Sequence, residues 1–405
     1  MRAVEIQGPM ETEVGTGRVL VNDRCLYCGS TGISTYLRNV LAHWPKDSQL
    51  RLVCHCRDYH SLLCRVLKSS STKSNSPRLL PLREVIKQKH GLFRLSHRIR
   101  WPIQNAYAMA FRRTFHRGGY GAYFEPNNIA IPRLDGTVTA VHDLSVIEHP
   151  EWHPRDRVMW WEAALQQSLE STRCWISPSR FTSDRMVRVL GLPAERVTVI
   201  PLAARPLPYP EPKELRGRKE SAVLPKCYFL HVGTLEPRKN VTVLLDAYAA
   251  LPARIRSDCR LILAGPLGWG GQSYWATLSN HPMSSEVLAT GYVSDQDLGL
   301  LLAGARAVLS PSRYEGFGMP LLEAMVCGRP VICSSAEAFK EVAGDTVEMI
   351  DPDNISGWSG AMQNAIEKDD WREGKAKAGR RLANEFSWDV TARRHAEVLS
   401  AVMRT

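Results

Sequence analysis

Two stretches of the sequence carry side chains that could act on a phosphorylated, hydroxyl-rich ligand. The first is HVGTLEPRKN, His231 to Asn240. An apolar run ends at Val232, Gly233 allows a tight exit with Thr234 beside it, and a helical pattern starts near Asn240. Arg238 and Lys239 then stand at a helix N-terminus, where fixed cations and the positive helix end suit a diphosphate. Taken alone, such a pair also reads as solvated charge ahead of a helix. The second stretch is SPSRYEGFGMPLLEAMVCGRPVI, Ser310 to Ile332. Glu315 lies on a loop, and Gly316, Phe317, Gly318 and Met319 follow it. Those glycines let backbone amides approach a ligand closely. Pro320 fits a first helical position, Glu323 is expected in the first turn, and Gly328 marks the helix end. Seven residues separate Glu315 from Glu323. One carboxylate on a loop and one on a helix can reach neighbouring hydroxyls of one ligand. Glu323 alone would also read as an acid complementing a helix dipole.

Strands and helices must position these groups. In the second half, strands are expected at Tyr228–Val232, Leu261–Ala264, Val287–Ala289, Ala307–Leu309 and Val331–Cys333. Helices are expected at Val241–Ala250, Asp295–Ala303 and Pro320–Val326. The first half alternates in the same way. Strands are expected at Arg18–Val21, Leu50–Cys54, Val138–Val141 and Cys174–Ser177, and helices at Ser34–Ala42 and Arg157–Leu169. Alternation of this kind implies doubly wound parallel sheets in an α/β fold. A proline-rich segment from Pro201 to Pro225 reads as an interdomain linker. Two such domains place a cleft between the carboxyl ends of two sheets, where ligands of open α/β folds bind.

The bulk composition agrees with two domains. The chain has 405 residues, 44% of them hydrophobic and 23% charged, as expected of a globular protein. No apolar region follows the N-terminus as a signal peptide would require, and no run reaches the ~18 residues of a membrane span. A cytoplasmic protein with free thiols is the expectation. The net charge of +11 is uneven: Arg51–Tyr120 holds 15 Lys and Arg against Asp58 and Glu84, and the remainder sums to −2. Within it, Arg83–Arg117 mixes cations with Leu92, Phe93, Leu95, Ile99, Trp101, Tyr107 and Phe111. That mixture reads as an interfacial segment docking on an anionic cytoplasmic leaflet. The competing reading is ordinary solvated charge.

The chain resembles the retaining group 1 (family 4) glycosyltransferases of GT-B fold. The resemblance is carried by GTLEPRKN and by the Glu–seven–Glu motif, and it covers nearly the whole length. It implies that Arg238 and Lys239 bind the diphosphate of a nucleotide sugar, that Glu323 binds its ribose, and that Glu315 with the Gly316–Met319 backbone holds its sugar. GPLGWGG, from Gly265 to Gly271, and GYVSD, with Tyr292 and Val293, match family loops near base and ribose. CGSTGISTYLRNVL matches the glycine-rich loop after the first strand, with Gly32 kept and Thr31 and Ser34 in place of two glycines. In AVHDLSVIEHPEWHP, His142 corresponds to a histidine facing the donor sugar at the reacting centre. The wording is most similar to bacterial mannosyltransferases of polysaccharide assembly. GDP-mannose is therefore the preferred donor, and a glycan or lipid-linked saccharide is the acceptor. The expected organisation is an acceptor-side domain over 1–205, a linker over 206–226 and a donor domain over 227–387. A last helix, about 388–405, packs back on the first domain.

No required metal is expected. Asp295-Gln-Asp297 and Asp351-Pro-Asp353 spell D-x-D but precede helices, where acids and serines serve as caps. Cys25, Cys28, Cys54 and Cys56 could meet around zinc, but the C-x-C spacing is poor for it. Three other readings compete. A sugar-nucleotide epimerase would need no acceptor. A phosphorylase would need a cofactor lysine and a longer chain. A basic nucleic-acid-binding protein would need a recognisable binding motif, and none is present.

Overall fold

The strand-forming runs assemble into two sheets in a computed structural model that describes residues 17–27, 32–55, 79–88, 97–209 and 224–404. Of residues 97–104 it describes the backbone alone. The first sheet contains β1 (Gly17–Val21), β2 (Leu50–Cys54), β4 (Ala122–Glu125), β5 (Thr137–Ala140), β6 (Thr172–Ser177) and β7 (Val197–Val199), in the order β2-β1-β4-β5-β6-β7. Every pairing in it is parallel. β4 and β5 are buried along their whole length, as strands of a sheet covered on both faces must be.

The second sheet contains β8 (Tyr228–Val232), β9 (Arg260–Ala264), β10 (Leu288–Gly291), β11 (Ala307–Ser310), β12 (Val331–Ser334) and β13 (Glu348–Ile350). Its order is β13-β12-β11-β8-β9-β10-β3. The last member, β3 (Leu80–Pro81), comes from the first half of the chain and pairs antiparallel with β10. The helix that follows it, Leu82–Gln88, buries Leu82 and Ile86 in the core of the second sheet.

This arrangement corrects part of the reading of the basic stretch. Leu82 and Ile86 cover an otherwise open sheet edge, a standard way to block edge-to-edge association. Phe111, on the helix His97–Arg117, is fully buried beside Leu20 and Tyr123, and Tyr107 packs on the same cluster. These apolar groups face the core and not an external surface. Leu92, Phe93 and Leu95 lie outside the described residues, as do Cys28, Cys56 and most of the expected linker.

The last helix, Trp388–Arg404, lies against the first sheet and the helix Gly32–Ala42. Trp388 Nε1 donates to Ala204 O at 2.7 Å and Thr391 Oγ1 donates to Pro201 O at 2.7 Å. His395 Nε2 meets the Tyr36 hydroxyl at 2.6 Å. One apolar cluster runs from Val19 and Phe124 through Ile200 and Leu202 to Leu230 and Leu322, so the two sheets share a continuous core.

At the end of β4, Glu125 is buried. It accepts from Asn22 Nδ2 at 2.6 Å, from Asn127 N at 3.0 Å and from the Tyr123 hydroxyl. Burial pushes its carboxyl up to about 7 from an ordinary 4.5. The protonated form therefore stabilises the fold fully below the unfolded value, and that contribution is lost as pH rises through 7. Replacement of Glu125 by Gln mimics the protonated state. The melting temperature of E125Q relative to the parent is expected to climb between about pH 4.5 and about pH 7 and to level off above that. A pH-independent difference would show that Glu125 ionises freely.

Candidate active site

Every site element follows the carboxyl end of a parallel strand. Gly233 and Thr234 follow β8, Gly265 follows β9, Tyr292 and Val293 follow β10, and Glu315 to Met319 follow β11. His142 follows β5 of the other sheet. The loops are stitched together by their backbones. Gly233 N donates to Ala264 O at 2.9 Å, Gly265 N to Gly291 O at 3.0 Å and Leu235 N to Pro266 O at 2.9 Å. A Cβ on Gly265 would stand 2.0 Å from Gly233 O, so only glycine permits this approach. Thr234 and Val293 are half-buried, and Tyr292 stands at the rim, 59% exposed.

Arg238 and Lys239 lie in a single 3-10 turn, Pro237–Lys239, just before the helix Val241–Ala249. Buried cations need partners, and here they have them. Arg238 Nη1 donates to Glu315 Oε2 at 3.1 Å and to Tyr314 O at 3.1 Å. Its Nε lies 2.5 Å from Glu236 Oε1, and Lys239 Nζ pairs with the other Glu315 oxygen. The flanking cations hold the Glu315 carboxyl down at about 2 against the opposing effect of its burial. The sequence places the two cations at a helix N-terminus without naming their partners. The structure instead joins them into one network with Glu315 and Glu236.

Glu323 lies on the helix Met319–Val326, which begins one residue earlier than expected. It therefore falls in the second turn, which removes the helix-dipole reading. It is 0% exposed. Its Oε1 accepts from Arg205 Nε at 3.2 Å, while Oε2 is buried with no hydrogen-bond partner. Burial raises its carboxyl above the ordinary range, against the pull of Arg205. A buried oxygen with an open acceptor position suits a ligand hydroxyl. Arg205 also donates to Asp295 Oδ1 at 2.8 Å.

His142 reaches this cluster from the first sheet. Its ring Nε2 meets Pro126 O at 2.8 Å and its backbone N donates to Asn128 Oδ1 at 2.7 Å. Since a carbonyl only accepts, Nε2 carries the proton and Nδ1 the lone pair. Burial lowers the imidazole below its usual value, so it is neutral at pH 7. Tyr36 braces the ring edge-on at 4.7 Å.

Gly316 is one point where the two halves touch. A Cβ there would lie 1.7 Å from His142 O. The Gly316 carbonyl accepts from Ser179 Oγ at 2.6 Å and Thr182 Oγ1 at 3.1 Å. Gly32 faces the same loop, with its missing Cβ 3.4 Å from Met319 Cε. Gly316→Ala is expected to push the loop off His142 and lower turnover by at least about 100-fold, because a 1 Å misplacement at a reacting centre has effects of this size. Steady-state rates at wild-type level in a folded G316A protein would show that this contact is dispensable.

The D-x-D motifs resolve differently from each other. Ser294 caps its helix by accepting from Asp297 N at 3.1 Å, and Asp297 Oδ2 accepts from Ser294 Oγ at 2.9 Å. Asp353 is not a cap. It pairs with both terminal nitrogens of Arg313, and Asn354 caps the helix instead, accepting from Gly357 N at 2.9 Å. Among the described residues, no group of three or more His, Cys, Asp or Glu is placed to hold a metal ion.

The sequence reading did not single out Arg205, Glu236, His231 or Ser179. His231 sits beneath Gly233 with Nδ1 donating to Leu309 O at 2.9 Å, and burial lowers its imidazole to about 4. His231 and Glu236 lie inside the HVGTLEPRKN stretch and Arg205 inside the proline-rich segment, but no local pattern marks Ser179.

A model of the family "Glycosyl transferases group 1" matches residues 214–382. The O-antigen chain mannosyltransferase B of Escherichia coli is 35% identical over 324 residues, covering 80% of this chain and 82% of that protein. The chain belongs to the group 1 glycosyltransferases. The serotype-specific mannosyltransferase WbdA of Escherichia coli is 30% identical over 234 residues, 57% of this chain. This glycosyltransferase covers 27% of that longer relative. Among solved structures, Anabaena HepE in complex with UDP and glucose superposes with a TM-score of 0.67. The match covers 95% of this chain and 100% of that one at 18% identity, and it shows the GT-B fold.

Proposed function

We propose that this glycosyltransferase moves mannose from GDP-mannose to a glycan or lipid-linked saccharide, with retention of configuration, in cell-surface polysaccharide assembly. The observation that carries this reading is the Arg238–Lys239–Glu315 network with His142 against Gly316 at the facing carboxyl ends of two sheets, and the open acceptor of Glu323 on the helix that follows. The similarity to an O-antigen chain mannosyltransferase supports mannose as the sugar.

In this reading Arg238 and Lys239 hold the diphosphate, Glu323 Oε2 accepts from a ribose hydroxyl, and Gly265 with the 291–293 loop borders base and ribose. Glu315 and the amides of Phe317, Gly318 and Met319, which precede the first intrahelical bonds, hold the sugar. His142 Nδ1 accepts from a sugar hydroxyl. The acceptor oxygen attacks the anomeric carbon on the face the diphosphate leaves. The C–O bond to phosphate breaks, and the acceptor's proton passes to the departing phosphate oxygen. Arg238 and Lys239 stabilise the developing charge, as preorganised cations do. No metal is required. Residues 1–205 serve as the acceptor-side domain and 227–387 as the donor domain, joined by 206–226.

A thermal-shift panel of GDP, UDP and ADP, with and without EDTA, tests this reading. At ~100-fold excess over the dissociation constant, GDP is expected to add about 2.7 kcal/mol of stability, unaltered by EDTA. A shift with UDP alone would move the donor to another nucleotide family, and no shift at all would remove the donor site.

The enzyme is also proposed to work at the cytoplasmic membrane face. Among the described residues no helix is long and apolar enough to cross a membrane. Arg112, Arg113 and Arg117 are exposed on the helix His97–Arg117, next to Met109, 60% exposed. Cosedimentation with phosphatidylglycerol vesicles at low salt, lost at high salt, is the result expected of such a surface. A protein that stays in the supernatant under both conditions would remove this assignment.

A further inference from the structure

Four polar side chains beside Arg238 have no role in the donor site. Glu236 is 1% exposed and its Oε2 meets no hydrogen-bond donor. Tyr274 OH, Trp269 Nε1 and His153 Nδ1 are likewise buried without a hydrogen-bond partner. They share one neighbourhood. The missing Cβ of Gly268 lies 3.4 Å from Glu236 Cβ, and that of Gly270 lies 2.5 Å from the Tyr274 ring. The His153 ring stands 5.5 Å from Trp269, whose face is also covered by Arg157 at 4.2 Å. His153 and Arg157 come from the first half of the chain, and the others come from the second.

The hydrogen-bonding capacity of this patch can be worked out. Ser145 Oγ gives its proton to Asp143 Oδ1 at 2.7 Å, so it can only accept from His153 Nε2, 3.1 Å away. His153 is neutral, because burial lowers its imidazole to about 4. Its Nδ1 is then an acceptor. Glu236 Oε2 is a second acceptor, the Trp269 N–H is a donor, and the Tyr274 hydroxyl can do either. An anion would meet the Glu236 carboxylate, and a cation would meet Arg157 and two N–H or O–H donors. A neutral polyol, whose hydroxyls both donate and accept, satisfies all four.

Position narrows the identity. Arg238 has Glu315 on one side and Glu236 on the other. Attack from the face of the leaving group requires the acceptor hydroxyl beside the leaving phosphate oxygen. The Glu236 side of the phosphate-binding arginine meets that requirement without overlapping the Glu315 and Gly316 loop.

We propose that Glu236, His153, Trp269 and Tyr274 form the subsite for the terminal sugar of the acceptor, assembled as the two halves close over it. This rests on the glycosyltransferase reading above. It is tested with Tyr274→Phe and Trp269→Phe, each of which removes one hydrogen-bonding group and keeps the ring. With α-1,3-mannobiose as acceptor, each variant is expected to raise the KM for mannobiose about five- to tenfold and leave that for GDP-mannose within about twofold. An unchanged mannobiose KM, or an equal rise in the GDP-mannose KM, overturns the subsite. Saturation-transfer NMR of mannobiose in the presence of GDP reads the same contact without turnover. Signal in the wild type that is lost in Tyr274→Phe supports the subsite, and no signal in the wild type overturns it. The thermal shift with GDP alone reports separately on the donor site.

Discussion

Lys239→Ala is expected to lower kcat by about 10³-fold, the upper range for removal of one preorganised group that stabilises developing charge. Lys239 is buried, and its ammonium ends on Glu315. Both positions matter. Burial makes the charge effective on a phosphate at short range, and Glu315 fixes where it points. In the variant Arg238 still pairs with both Glu315 and Glu236, so the turn survives and the loss falls on the transition state. Single-turnover rates with saturating GDP-mannose separate this from weaker binding. A variant within a few fold of wild type would mean the diphosphate lies elsewhere.

Glu323→Ala is expected to weaken GDP binding by about 30- to 100-fold, the size of one or two hydrogen bonds to a charged group. The buried Oε2 has no hydrogen-bond partner within the protein, which leaves its acceptor position open for the proposed ribose hydroxyl. Arg205 keeps Asp295 as its second partner, so the variant does not leave an unpaired buried cation. Isothermal titration with GDP measures the effect directly. An unchanged affinity would place the ribose away from this helix and leave Glu323 as a partner of Arg205 alone.

Much of the frame was legible because apolar runs bounded by glycine or proline have few alternatives. β8 came out at the residues expected of it, and β9, β11 and β12 within one residue at either end. β4 was not anticipated, since AYFE is four residues long and ends in a carboxylate. Its burial depends on Asn127 next to it and on Asn22, which only the fold brings to Glu125. β3 was missed for a related reason. A two-residue strand ending in proline has no signal of its own, and its partner lies some 200 residues later.

The site divides in the same way. Local motifs exposed Arg238, Lys239, Glu315 and Glu323, because each sits at a fixed offset from a glycine or a helix start. The partners that set their charge states did not show. Arg205 reaches Glu323 across 118 positions, and Ser179 reaches Gly316 across 137. The Asp353 assignment failed by one residue. Asp353 and Asn354 can both cap a helix, and Arg313, distant in sequence, decides between them by taking Asp353.

The most direct test is to incubate the enzyme with GDP-mannose and α-1,3-mannobiose and read the product's anomeric configuration by NMR. GDP and an α-linked mannotriose are the products expected of a retaining transfer from an α-linked donor. A β-linked product, or conversion of GDP-mannose without any acceptor product, would contradict the assignment.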